Sequence, residues 1–296
     1  MQDLVNTPKH RDLIYDIGMH RGEDTEFYLQ KGFRVVAFEA DPDLVRVCRN
    51  RLTGFIDQGK LTIIEGAIVD LGTIDAGQEK VRFYKNDDRS VWGTVCTSWA
   101  DRNMRRGTTS QAIEVEVTNL ANVIQVYGIP HYMKIDIEGC DMACVDALGK
   151  FRERPDYLSI ESAKTSLKSI KGEIDALVSL NFNCFQAVEQ SAIALPIPPD
   201  PPTEGAYVDH SFQEGSSGLF GSELAGKWKT KQEILRQYRA IWLGYYFLGD
   251  EGIMNQWTFR GASRLRFLTR RLLSLLTKGA VPGWYDTHAR HISADR

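Results

Sequence analysis

Through the first two-thirds of the chain, short apolar runs alternate with stretches whose apolar residues recur at helical spacing. "DLIYDIG", "FRVVAFEA" and "KLTIIEGAI" have the length and β-branched content of strands. Between them, "EDTEFYLQKG" reads as a helix with Glu23 and Asp24 favourable in its first turn and Gly32 at its end. "DPDLVRVCRNRL" reads as a second helix, with Asp41 as N-cap and Pro42 at its first position. After an insertion the alternation resumes. "HYMKIDIEG", "PDYLSIES" and "FNCFQAVEQ" become strands four to six, separated by helices over "CDMACVDALGKF" and "GEIDALVSLN". The pattern predicts an α/β fold with a doubly wound, mostly parallel sheet.

The insertion, from about "EKVRFYKNDDRSVWGTV" to "QAIEVEVTNL", is β-rich and carries what reads as an irregular arginine-bearing loop, "WADRNMRRGTTS". Residues 196–202 then hold five of the chain's ten prolines, and Gly215 to Gly218 spell "GSSG". Such a composition predicts a surface loop or lid over 196–226, mobile and ordering over ligand. The tail reads as a helical appendage over 227–296, following a catalytic domain over 1–195. Its second helix sets Leu265, Leu268, Leu272, Leu275 and Leu276 on one stripe, with Arg260, Arg264, Arg266, Arg270 and Arg271 on the other faces. A basic amphipathic helix can lie on anionic lipid or carry a partner contact. The ordinary expectation is that the leucines pack on the domain and the arginines are solvated.

Composition narrows the classes. A net charge of −3 over 296 residues offers no global argument for nucleic acid or a membrane surface. Cys48, Cys96, Cys140, Cys144 and Cys184 are scattered and odd in number, and read as reduced, mostly buried thiols of a cytoplasmic protein. No apolar segment precedes the first strand, so no secretory signal is expected, and no apolar run reaches the length of a membrane span.

The first turn, "DIGMHRGEDT", carries glycines as D-x-G-x-x-x-G, which is not the G-x-G-x-x-G of a dinucleotide site, and no Walker loop is present. Asp16, Glu23 and Asp24 crowd carboxylates around it and would repel a phosphate. They suit a ligand with positive groups. S-adenosylmethionine has a sulfonium, an ammonium, a ribose diol and no phosphate. Asp16, at the carboxyl end of strand one, is placed for the ammonium, directly or through water. Glu39, ending strand two, is placed to accept both ribose hydroxyls.

"YDIGMHRGEDTEFYL", "VVAFEADPDLV", "EGAIVD" and "YMKIDIEGCDMACVDAL" together resemble the FkbM family of class I methyltransferases, over roughly residues 10–190. The family's usual turn is D-x-G-A-N-x-G-x-x-T and its fourth strand K-x-D-x-E-G-x-E. Here Met19 stands for Ala, His20 for Asn and Asp141 for the last Glu, while Thr25 matches the closing Thr. The resemblance implies a Rossmann-like methyltransferase with S-adenosylmethionine held by Asp16, Gly18, His20, Gly22, Thr25, Glu39 and Asp136. His20 keeps a hydrogen-bonding side chain and is expected to brace the loop. "IIEGAIVD" resembles the segment bordering the adenine, with Ala67 leaving room for the ring, and Ser90 matches a position where the family often carries Ser.

Methyl transfer is an in-line displacement, for which orientation can supply up to ~7–11 kcal/mol. A hydroxyl acceptor also needs its proton removed. The candidates are Asp136 and Glu138 of "KIDIEG" and Glu161 of "SIES". Strand alternation would set Asp136 and Glu138 on one face, and three converging carboxylates would raise one another's pKa or bind a divalent cation. Alternatively, Glu138 and Asp141 only complement a helix start. No fourth ligand is evident, so a metal-free site is expected. Lys134 reads as an ion-pairing partner, His131 as structural, and His210 either as a lid residue reaching substrate or as a solvated one; Gln190 is a further candidate for the wall.

The expected function is a cytoplasmic methyltransferase acting on a hydroxyl of a small sugar-like or secondary-metabolite acceptor, both of the latter implied by the resemblance. A nicotinamide oxidoreductase is opposed by the glycine spacing. The remaining alternative is a nucleotide-binding or assembly module worked by its basic helix. Nucleic acid is not an expected partner, and the C-terminal helices offer a route to a homo-oligomer.

Overall fold

The computed structural model describes residues 4–75, 77–162, 166–190, 196–213, 215–249, 252–277 and 283–294. Strand β1 (Lys9–Ile17) is followed by α1 (Glu23–Gln30), β2 (Arg34–Glu39), α2 (Pro42–Arg51), α3 (Thr53–Asp57) and β3 (Leu61–Glu65). The insertion contains β4 (Lys80–Asn86), α4 (Thr97–Arg105) and β5 (Ser110–Glu116). Then come α5 (Leu120–Tyr127), β6 (Ile129–Ile135), α6 (Asp141–Leu148), β7 (Tyr157–Glu161), α7 (Leu167–Ser179) and β8 (Phe182–Glu189). The chain continues through α8 (Lys231–Leu248), α9 (Ala262–Thr277) and β9 (Tyr285–His291).

Seven strands form one sheet in the order β3-β2-β1-β6-β7-β9-β8, and β4 and β5 pair antiparallel in a second. The order reverses at β1, where the chain crosses to β6 on the other side, so a crevice opens at the carboxyl ends of β1 and β6. The predicted α/β class is the observed one.

Strand β9 lies antiparallel between β7 and β8, although its segment reads from sequence as the close of a helical tail. "YDTHARH" has too few apolar residues to signal a strand. It is nonetheless buried, and Thr287 within it finds partners: its Oγ1 lies 2.6 Å from Ser162 Oγ and 2.5 Å from Tyr238 Oη. Likewise, most of the arginine-bearing "loop" of the insertion is α4, which seats Ala100 and Asn103 inward, with Asn103 Nδ2 donating to Trp92 O at 3.2 Å.

One core, with Ile17, Met133, Ile160 and Ile174, lies beneath α5 to α8; the other, with Phe27, Tyr28 and Tyr132, lies beneath α1. Over the second face the segment expected to be a mobile lid is instead a packed layer. Phe212, Leu219 and Phe220 are core residues, and the Phe220 and Tyr132 rings stack at 4.7 Å. Lys31 and Glu223 pair at 2.9 Å with both side chains inaccessible, and Ala206 N donates to Lys31 O at 2.8 Å. His131, at the amino end of β6, bridges Asp156 and Glu204 at 2.9 Å each. Burial opposes its charge, but those two bonds outweigh burial and lift its pKa to about 9. His210 packs against the rings of Phe27 and Phe212, 4.9 Å from each, within this layer.

Helix α9 also departs from expectation. Leu265, Leu268, Leu272 and Leu275 are exposed and do not pack on the domain. Leu276 lies among side chains outside the described set.

Candidate active site

Strand β1 ends in a turn that only particular residues can make. Gly18 has φ 88°, and a Cβ there would come within 1.9 Å of Asp136 O, so β1 and β6 approach this closely only around glycine. Gly18 N and Met19 N both donate to Phe38 O, at 3.1 and 2.9 Å. His20 is also left-handed, φ 54°, a region His shares with Asn and Asp more readily than other side chains. The exchange of Asn for His at this position therefore keeps the backbone feasible as well as the hydrogen bonding. His20 Nε2 lies 2.8 Å from Ser90 Oγ, which ties the turn to the insertion.

Glu39, at the end of β2, accepts the N–H of His20 on Oε2 at 2.8 Å and that of Asp41 on Oε1 at 2.9 Å. Burial raises its pKa to about 7, against the opposing effect of those two bonds. Each oxygen keeps a further lone pair for a donor.

Behind the turn, Asp16 is fully buried. Its Oδ2 accepts from Thr25 Oγ1 at 2.6 Å and its Oδ1 from Lys134 Nζ at 3.0 Å. Lys134 also donates to Gly18 O at 3.0 Å and pairs with Asp24 at 3.4 Å, while Ser217 N donates to both oxygens of Asp24. Burial opposes the charge of Lys134, but Asp16, Asp24 and Asp136 together raise its pKa well above the ordinary lysine value. Asp16, Gly22 and Thr25 therefore do not reach the cavity wall; they brace the turn that does.

At the carboxyl end of β6 a second acidic group converges. The strand ends at Ile135, and Glu138 enters the site through a left-handed turn, φ 47°, rather than by strand alternation. Burial first, then Glu161 and Asp136, push the pKa of Glu138 well up; Arg102, 3.9 Å from its Oε2, pulls the other way. That buried Oε2 accepts no hydrogen bond among the described residues. Asp141 accepts from Ile137 N and Gly139 N, each at 3.3 Å, and burial with the same two neighbours raises its pKa to about 8. Among the described residues no cluster of three or more His, Cys, Asp or Glu is disposed to hold a metal ion.

Gly18, His20, Glu39, Ala67, Ser90, Asp136, Glu138 and Glu161 all line one cavity of about 1110 Å³. Of the other candidates, Gln190 is absent from that wall; its N–H donates to the carbonyl of Trp284, which does line it. Further wall residues come from elements the sequence does not tie to the site. Trp92, Trp99 and Arg102 come from the insertion, and Trp242, Tyr245 and Tyr246 from α8. Arg102 stacks 3.9 Å above the Trp99 ring. The interleaved Trp and Arg of "SVWGTVCTSWADR" were the available signal, but nothing in the sequence says which wall the insertion covers.

A glycine-opened turn, a strand-end carboxylate and a large cavity at the switch point define a ligand-binding α/β domain of the doubly wound class. A family model described as the methyltransferase FkbM domain matches residues 16–183, more than half of the chain. The chain belongs to this family. Among solved structures it is similar to the methyltransferase FkbM from Methylobacillus flagellatus KT, at 16% identity and TM-score 0.37, covering 62% of this chain and 41% of that one. It is also similar to a precorrin-6y C5,15-methyltransferase from Geobacter metallireducens GS-15, at 11% identity and TM-score 0.33, covering 62% of this chain and 69% of that one. No curated protein matches the chain.

Proposed function

We propose that the chain is an S-adenosylmethionine-dependent methyltransferase acting on a hydroxyl of a small sugar-like or secondary-metabolite acceptor. The observation that carries the cofactor is Glu39: a strand-end carboxylate on the cavity wall, oriented by two backbone N–H groups and retaining lone pairs for a diol. Gly18 and His20 form the adjoining turn and Ala67 lines the same wall with no side chain beyond a methyl group. These residues fit the cofactor, which supplies an electrophilic methyl group when bound. Glu39 would hold the ribose, and the Asp16–Lys134 pair would keep the turn in shape beneath it.

Asp136, Glu138 and Glu161 would act on the acceptor. Burial and the neighbouring carboxylates oppose the ionisation of Glu138, so that carboxylate, once ionised, is a stronger base than an exposed one and suited to take a hydroxyl proton. The Trp and Tyr side chains that the insertion and α8 bring to the wall would exclude water and orient the acceptor. The test is calorimetry with S-adenosylmethionine, S-adenosylhomocysteine and NAD. The first two should bind and NAD should not; NAD binding without the others would remove the cofactor assignment.

A further inference from the structure

Helix α9 carries its apolar stripe on the outside. Leu265, Leu268, Leu272 and Leu275 are 41%, 53%, 59% and 72% exposed. The helix meets the rest of the protein along an adjoining flank, where Ala262 is buried and Leu273 packs toward Leu248 and Met254. Phe259 and Phe267 are exposed as well. At 100° per residue, Arg264 and Arg271 border the leucine stripe, and Arg266 and Arg270 lie on the far side. From Gly252 to Tyr285 the sequence holds five arginines, one lysine and no acidic residue, a charge of +6 in a chain whose net charge is −3.

Such a surface fits a partner that is apolar and negatively charged at once. We propose that α9 docks on an anionic lipid surface, its leucines among the acyl chains and the bordering Arg264 and Arg271 among the headgroup phosphates. A second copy of the chain is a poorer occupant. It would bring the same arginines face to face, with no acid on the helix to answer them. At 16 residues α9 is shorter than the ~20 that span a bilayer, and no described helix is long and apolar enough to cross one, so the helix lies on the surface.

Co-sedimentation of the full chain with vesicles tests this. Vesicles of phosphatidylcholine with phosphatidylglycerol should carry the protein down, and phosphatidylcholine alone should not; added salt should weaken the binding. Leu268→Glu with Leu272→Glu should abolish it. Arg264→Ser with Arg271→Ser should weaken it about 25-fold, from about fivefold per charge. Both pairs include exposed positions on α9, and an unchanged melting temperature shows that the fold is retained. Equal or absent sedimentation with the two vesicle types, or unaltered binding by the variants, overturns the proposal. So does a wild-type dimer by light scattering that ignores vesicles and that the leucine variant dissolves, which would make the stripe an interface between copies.

Discussion

Two acidic groups stand at the carboxyl ends of the adjacent strands β1 and β6, and they are balanced differently. In the first, Asp16 and Asp24 share Lys134 at 3.0 and 3.4 Å, and Thr25 and Ser217 supply further donors. In the second, Glu138 faces Asp136 and Glu161, with Arg102 no nearer than 3.9 Å and its own Oε2 without a hydrogen bond among the described residues. A compensated buried carboxylate is committed to its partners and holds a shape. An under-compensated one retains capacity for a proton or a donor, which is what a reacting hydroxyl offers.

The largest effect should come from removing charge in the second group. Asp136→Asn and Glu161→Gln keep shape, so S-adenosylmethionine should still bind while turnover falls by about 10²–10⁴-fold. Full turnover in both variants would move the chemistry elsewhere in the cavity.

The first group should answer in stability. Lys134→Met leaves Asp16 and Asp24 buried without their cation and should cost about 3–5 kcal/mol in denaturant unfolding. A loss below about 1 kcal/mol would mean that Thr25 and the backbone donors suffice.

Glu39 lies between these cases, half-buried and bonded only to backbone N–H groups. Glu39→Ala should weaken S-adenosylhomocysteine binding by about 1.5–3 kcal/mol. Ribose hydroxyls donate to the ionised form, and the pKa of Glu39 is about 7. Affinity should therefore be about tenfold weaker at pH 6 than at pH 8. A flat calorimetric pH profile would take Glu39 out of the ribose site.

The smallest effect is a drift in the ligand-free protein. Asp24, Glu39 and Asp141 have values raised by burial to about 6, 7 and 8, and the bridge through His131 raises it to about 9. A raised group contributes most below its unfolded pKa and loses that contribution as pH climbs through its folded one. The melting temperature should accordingly fall between pH 6 and pH 9; a rise over that window would mean that these groups are not held as described.

The sequence by itself determined what is local. Alternating strand and helix patterns set the α/β class, Asp41 and Pro42 begin α2 as predicted, and the glycine-opened turn after β1 was readable because its shape depends on residues a few positions apart. His20 meets Glu23 within its own turn at 3.6 Å, but its bonds to Glu39 and Ser90, 19 and 70 positions away, belong to the tertiary structure. Tertiary structure decided the rest, wherever a side chain's meaning depends on a distant partner. Asp16 became a brace because Lys134, 118 positions away, reaches it. "YDTHARH" became an interior strand, with Thr287 satisfied by Ser162 and Tyr238, and a proline- and glycine-rich segment became core because Phe212, Leu219 and Phe220 complete the face that α1 covers only in part. The leucines of α9 have the helical spacing of a buried face, yet stay exposed because the adjoining flank, through Ala262 and Leu273, is the one that meets the domain. Periodicity states that a face is apolar; only packing selects which face is covered.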